Sequence, residues 1–407
     1  EVAEWTGYMG AFQSVTGGGS RLEDLEVSVA ALLVAQACNT GLTPVTSTTF
    51  SPLTRDRLLH VDQNYLRTET IKAANKILID SQAELPLVRR WGRGFVASID
   101  GMRFVVPIAT VHARPNPRYF GRGRGATWLN MVNDQASGLA SKVVAGTPRD
   151  SLHVIDVLYG QDGGVSPEVL VTDTASYSDT VFGILTLGGR IYAPQLADIP
   201  DQKLWRIDRR ADYGPFNTAA RGQIDLEKIR RHWTDMLRIV GSIHTGSVRA
   251  HDVIRMLHRD GSRTSLGDAM AHYGRIHKTL HILRLTDDVS YRRFIKAQAN
   301  LHEGRHGLAR KIFHGHRGEL RQRYHEGQED QIGALGLVLN VVVLFNTRFL
   351  QATIDQLENQ GFEISDKDLA RLSPFVQAHV NTQGRYSFAR PELGGELRAL
   401  NDPDDEF

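Results

Sequence analysis

The chain holds one cysteine in 407 residues, Cys38. That excludes an internal disulfide framework and fits a reducing, cytoplasmic setting, with the thiol packed in an apolar, helix-like segment. No basic-then-apolar leader opens the sequence, so no signal peptide is read. The first residue is Glu1 rather than Met, and the chain is expected to be a piece of a longer protein. Long apolar runs are also missing. The longest, from Leu335 to Phe345, is too short to span a bilayer and carries Asn340, so a core helix is expected there. No repeat or low-complexity segment is evident.

What is present is the composition of a globular protein, 41% hydrophobic and 23% charged, long enough for two or three domains. The net charge of +2 hides an asymmetry. From Arg275 to His325 there are 12 Lys/Arg against 4 Asp/Glu, with seven of the 16 histidines. Such segments meet phosphates or form solvated helix faces, and composition alone leaves both readings standing. The tail from Pro391 to Phe407 has six acids and one arginine, and is expected to be disordered.

Residues 1–90 read as helical, with an apolar-periodic stretch over 21–38 and a long amphipathic one over 51–84. From Gly94 the pattern changes to short β-type runs at 95–97, 103–108 and 138–145. A helix over 149–158, a strand over 168–172, a helix over 178–187 and a strand at 190–192 follow, which together describe a mixed α/β sheet. Residues 198–298 break that rhythm with helices over 226–240, 248–258, 265–286 and 290–299 and no convincing strand. They read as a helical insertion. Helices continue over 305–324 and 328–358.

Three acids stand in informative places. Asp100 lies between two apolar β-type runs, where Asp-Gly is also a strong hairpin-turn signal. Asp173 ends the apolar run Val169–Thr172, at the carboxyl end of a strand, where α/β sheets place ligand sites. Glu303 opens the basic stretch running to Lys311. Three convergent carboxylates hold two Mg²⁺ ions for in-line attack at a phosphodiester, which makes nucleic-acid strand chemistry the leading reading. A rival reading comes from His302-Glu303-Gly304-Arg305-His306, which matches the H-E-x-x-H pattern of zinc proteases. It requires a stable helix, and Gly304 and Gly307 weaken one by about 1 kcal/mol each. No third zinc ligand stands at a recognisable spacing. The run Gly121-Arg-Gly-Arg-Gly125 is either a phosphate cradle or a flexible connection. Trp205, Trp233 and Tyr213 are candidate stacking platforms for unpaired bases or simply core aromatics.

The longer run Val96-Ala-Ser-Ile-Asp-Gly-Met-Arg-Phe-Val-Val-Pro107 begins a more extensive match. It continues through Pro115 to Gly125, Thr172-Asp-Thr-Ala-Ser-Tyr-Ser-Asp179, Ala197-Asp-Ile199, Leu204-Trp-Arg-Ile-Asp208 and Ala211-Asp-Tyr-Gly214. Glu303-Gly-Arg-His306, Glu326 to Leu337, Leu372-Ser-Pro374 and Gly384-Arg-Tyr-Ser-Phe388 complete it. Over roughly residues 20–390 the chain resembles the C-terminal part of the large transposases of replicative class II transposons, the Tn-three family.

The resemblance implies a ribonuclease H-like α/β core with a DDE triad and a helical insertion before the last acid. Motif by motif, the triad falls on Asp100, Asp173 and Glu303, separated by 73 and 130 residues. The implied division is a helical region at 1–90, core at 91–197 and 299–358, insertion at 198–298, and a C-terminal segment with the acidic tail at 359–407. The implied activity is metal-dependent 3′-end cleavage and strand transfer, with two Mg²⁺ or Mn²⁺ ions held by the triad. Arg122, Arg124, Arg305, Arg310 and Lys311 are the expected DNA contacts. The implied partners are terminal inverted-repeat DNA, target DNA and a second copy of the full-length protein, in a bacterial cytoplasm. Two alternatives stay open, a two-metal nuclease on the same fold and a non-catalytic DNA-binding fragment.

Overall fold

The computed structural model describes residues 1–17, 22–147, 152–174, 177–259, 262–388 and 397–398. Most of the acidic tail lies outside them. The chain opens with α1 (Val2–Thr6), α2 (Leu25–Ala37), α3 (Arg55–Tyr65), α4 (Thr68–Glu84) and α5 (Pro86–Trp91). α2 falls where apolar periodicity predicts it. The amphipathic stretch over 51–84, by contrast, is broken into α3 and α4 by extended backbone at Leu66 and Arg67. Thr70 is the cause. Its hydroxyl accepts from Arg67 N (3.2 Å) and donates to Tyr65 O (2.7 Å), giving the backbone an alternative to continuous helix.

The sheet follows, built from β1 (Val96–Val105), β2 (Arg114–Pro115), β3 (Arg124–Asn133), β4 (Gly138–Ala145), β5 (Val169–Thr172) and β6 (Ile191–Tyr192). Interleaved with these are α6 (Pro117–Phe120), α7 (Val154–Tyr159) and α8 (Asp179–Leu187). The order is β2–β3–β1–β5–β6, with β4 also on β3. β1, β3 and β4 are antiparallel, whereas β5 runs parallel to β1 and β6 parallel to β5. This is the mixed α/β sheet that the sequence predicts.

One difference bears on function. One strand, Val96–Val105, joins most of the runs expected at 95–97 and 103–108, and Asp100-Gly101 does not turn. Asp100 pairs with Asn130 and Gly101 with Leu129, both on β3. A hairpin at Asp-Gly would require β1 to pair with itself, and β3 takes that place. β3 escapes a periodicity reading because nine of its ten residues are buried and Thr127, Asn130 and Asn133 interrupt its apolar run.

Beyond the sheet come β7 (Trp205–Arg206) with β8 (Gly222–Gln223), then α9 (Leu226–Arg231), α10 (Trp233–His244) and α11 (Ala250–Leu257). A second two-stranded ribbon, β9 (His258–Arg259) with β10 (Ser262–Arg263), leads into α12 (Ser265–Asp287). The region is helical as expected, apart from these two ribbons. α12 lies directly on α8, since a side chain at Gly274 would strike the Asp179 carbonyl. The Asp179 carboxylate then accepts from Arg275 Nε at 2.9 Å, with Arg263 and Lys278 at 3.5 and 3.8 Å. Trp205, half-buried, is flanked by the Arg275 guanidinium at 4.2 Å and Lys203 Nζ at 4.5 Å.

The chain then forms α13 (Val289–Ile312), α14 (His325–Asn359) and α15 (Asp366–Leu369). α13 runs unbroken through Gly304 and Gly307. The helix expected over 305–324 stops at Ile312, and His316 and Arg317 just beyond take left-handed φ of 47° and 59°. α14 is 35 residues, long and apolar enough to cross a bilayer by length and composition, yet 56% of its most apolar window is buried in the protein. Its buried polar residues are engaged internally, Asn340 with Asn75 and Gly138 and Asn346 with Pro374 and Val376. It is a core helix. One face of the sheet, with Ile99, Leu129 and Met131, packs on α7, α8 and the helices α10 to α12. The other, with Met102, Phe104 and Trp128, packs on α13 and α14.

Candidate active site

Parallel pairing of Ile99, in the middle of β1, with Thr172, at the end of β5, brings the next residues, Asp100 and Asp173, side by side. α13 crosses β1 on the face that carries Asp100. It is fastened there by Gln298 Nε2, which donates to Ser98 Oγ (3.2 Å) and Val132 O (2.9 Å), and by His302 Nδ1, 2.7 Å from Ser98 Oγ. One residue after His302, Glu303 is turned outward and exposed. Asp100, Asp173 and Glu303 thereby line one cavity of about 120 Å³, together with Gln195, Lys296 and Asn300.

The electrostatics follow from that grouping. Burial pushes the Asp100 carboxyl up to about 6, and the negative charges of Asp173 and Glu303 push the same way. The Gly101 N–H, donating to Asp100 Oδ1 at 2.7 Å, opposes the shift. His306 lies behind Asp100, with Nδ1 3.8 Å from Asp100 Oδ2. Its Nε2 accepts from Asn130 Nδ2 at 2.9 Å, so the neutral ring carries its proton on Nδ1, facing the carboxylate. Burial drives the His306 pKa down to about 3, which keeps the ring neutral at pH 7.

The donor set fits a hard divalent cation. Three carboxylates at one cavity repel each other and offer only oxygen, the chemistry of Mg²⁺ and Mn²⁺ rather than zinc. Among the described residues no three His, Cys, Asp or Glu side chains stand close enough to hold an ion in the present arrangement. The zinc-protease reading of His302 and His306 is set aside. Both rings are turned into the core against Ser98 and Asn130, away from Glu303.

The expected DNA contacts divide. Arg122, Arg124 and Arg310 are exposed and Lys311 is half-buried. Arg124 opens β3, so the Gly121–Gly125 run is in part strand rather than cradle. Arg305 is a correction. It is 1% exposed, its Nη1 donates to Asn340 Oδ1 at 2.7 Å and its Nη2 to Gly336 O at 3.1 Å. The backbone of a DNA duplex on the surface cannot reach it. The signal was present in the sequence: Tyr291, Ile295, Gln298, His302, Arg305, Ala309 and Ile312 recur at spacings of four and three, and all are buried. The same periodicity puts Lys296, Asn300, Glu303 and Arg310 on one outward stripe. Lys296, Asn300, His306 and Asn130 are site residues that a search for acids alone does not find.

Three acids at one cavity beside exposed cations are the side-chain inventory of metal-assisted phosphoryl transfer. The chain belongs to the Tn3 transposase DDE domain family, whose profile matches residues 1–386. It is 67% identical to the transposase for transposon Tn4556 of Streptomyces fradiae over 402 residues, which cover 99% of this chain and 45% of that protein. It is 47% identical to the transposase for transposon gamma-delta of Escherichia coli K12, covering 98% of this chain and 40% of that one. Identity to the transposase for transposon Tn1546 of Enterococcus faecium is 33%, covering 95% and 39%. The chain thus spans less than half the length of these relatives. Among solved structures, a piggyBac transposase synaptic complex with hairpin DNA covers 88% of the chain at 11% identity and a TM-score of 0.28, too low to carry an argument.

Proposed function

We propose that this chain is the catalytic part of a replicative transposase, cutting the 3′ ends of a transposon and joining them to target DNA. The observation that supports it most directly is the lining of one cavity by Asp100, Asp173 and Glu303, from three separate elements. In this reading the sheet is a ribonuclease H-like core, which its three antiparallel strands continued by two parallel ones suit. The core comprises 91–197 and 299–358 around the insertion at 198–298, between the helical region at 1–90 and the segment at 359–407. Terminal inverted-repeat DNA and target DNA are the substrates, a homodimer of the full-length protein is the working unit, and the setting is the bacterial cytoplasm.

Asp100 and Asp173 would hold both of two Mg²⁺ or Mn²⁺ ions and Glu303 would complete one site. Bound there, such ions acidify the attacking hydroxyl and neutralise charge on the leaving oxygen. His306 orients the Asp100 carboxylate from behind. Lys296, two turns before Glu303 on its stripe, is set to take a phosphate oxygen beside the carboxylates. Arg122, Arg124, Arg310 and Lys311 would hold the flanking DNA backbone. Water first hydrolyses the phosphodiester at the transposon end, leaving a 3′-hydroxyl and a 5′-phosphate. That hydroxyl then attacks a target phosphodiester, forming the new bond and displacing the target strand's 3′-hydroxyl.

The deciding experiment uses a full-length transposase carrying this chain, with DNA bearing one transposon end and a target. Joined strands support the proposal, whereas cut strands without joining identify a nuclease. Lys296→Ala should reduce joining about tenfold or more, as expected for the loss of a charge-assisted hydrogen bond to phosphate. Joining at the parental rate would remove Lys296 from the site. Mg²⁺ or Mn²⁺ should support the reaction. Activity with Zn²⁺ alone, lost on His302→Ala, would restore the zinc reading.

A further inference from the structure

A second cavity, of about 240 Å³, lies between α4, α14 and the β3–β4 strands. Ile71, Val143, Leu337 and Trp128 give it apolar walls, while Lys72, Lys142, Asp162, Glu329 and Arg305 also line it. The surface charges are paired among themselves: Lys72 with Asp162 at 3.3 Å, Lys142 with Asp156 at 2.7 Å and Glu329 with His325 at 3.2 Å. Arg305 is the exception. Its hydrogen bonds go to neutral oxygens, and among the described residues no carboxylate pairs with it. The guanidinium packs over Gly138, where a Cβ would collide with it. Burial draws its pKa down to about 9, still above neutrality, so the charge persists at pH 7.

A buried cation with no counter-ion is costly by several kcal/mol in real proteins. Two buried donors on the same wall are also unsatisfied: Arg305 Nε and Trp128 Nε1 have no hydrogen-bond partner. Orphaned buried donors beside a cavity call for an acceptor. Water could satisfy Trp128 Nε1, but it cannot neutralise Arg305. We infer that this cavity is a binding site for one small oxyanion, a carboxylate or a phosphate group. A monoanion balances the single unpaired charge, and the apolar walls admit a short hydrocarbon body. The site is independent of the phosphoryl-transfer reading, although Asn130 joins the two by hydrogen-bonding Asp100 O and His306.

The test is calorimetric titration of the 407-residue chain with sodium phosphate and, separately, with sodium butyrate. Chloride is exchanged out so that ionic strength stays constant. Saturable one-to-one binding of either anion is the expected result. Phosphate alone identifies a phosphoryl ligand, and butyrate alone a carboxylate. Gly333→Leu puts bulk into the cavity without removing a polar group, since a Cβ there meets only Ile71 at 3.5 Å, and it should abolish binding. Lys142→Met should weaken binding about threefold, by removing a positive charge from the lining rather than a bond to the anion, since Lys142 Nζ is held by Asp156. It carries the test if Gly333→Leu does not melt like the parent. No saturable binding of either anion, or undiminished binding by the variants, overturns the inference.

Discussion

Replacing Asp173 with alanine should abolish both cleavage and joining, by at least about a thousandfold, while leaving DNA affinity unchanged or slightly raised. The substitution removes a carboxylate from the cavity shared with Asp100 and Glu303 and deletes no phosphate-binding cation. It also removes a negative charge from the place where a phosphate would lie. Binding and chemistry should therefore separate in a single variant. The measurement is end cleavage and strand joining by a full-length transposase carrying this chain, alongside equilibrium binding to one transposon end. Joining at the parental rate would mean that the triad is misassigned. Loss of binding in parallel with activity would mean that Asp173 supports the fold instead.

The acids were legible and their surroundings less so. Glu303 and Asp173 could be singled out because each stands at a change of local pattern, the start of a basic stretch and the end of a strand. Asp100 was ambiguous because a hairpin and a mid-strand acid share the local sequence Asp-Gly. The strand that decides between them, β3, begins 24 residues later and is buried on both faces, so neither length nor alternation announces it. Asn130 was invisible, and His306 was visible only as a possible zinc ligand, for a related reason. Their hydrogen bond joins residues 176 positions apart, and only the packing of α13 on the sheet creates it. The helices over 198–298 were readable in outline, α10 and α11 because they are amphipathic. The short ribbons among them are two residues per strand, below anything a pattern can register.

Arg305 shows the cost of reading charge without phase, and it yields the sharpest contrast between neighbouring cations. Arg305→Ala should destabilise the chain by about 2 kcal/mol, because the buried volume it empties and the two hydrogen bonds it removes, to Gly336 O and to Asn340 Oδ1 (which keeps the Gly138 N–H), outweigh the relief of a buried charge. In thermal unfolding that is a fall of several degrees. Lysine should not rescue it, since an ammonium cannot reproduce the two-pronged geometry of the guanidinium. The double variant Arg310→Ala with Lys311→Ala, on the following turns of the same helix, should behave oppositely. Its melting temperature should stay near the parent's, because Arg310 is exposed and Lys311 only half-buried. Its DNA affinity should fall, and the log–log dependence of affinity on salt should flatten by about one unit for each phosphate that is no longer neutralised. Measured together, melting and salt slope assign each cation to the core or to the DNA. An unchanged slope in the double variant would make this end of α13 a solvated face, and an unchanged melting temperature for Arg305→Ala would contradict its place in the core.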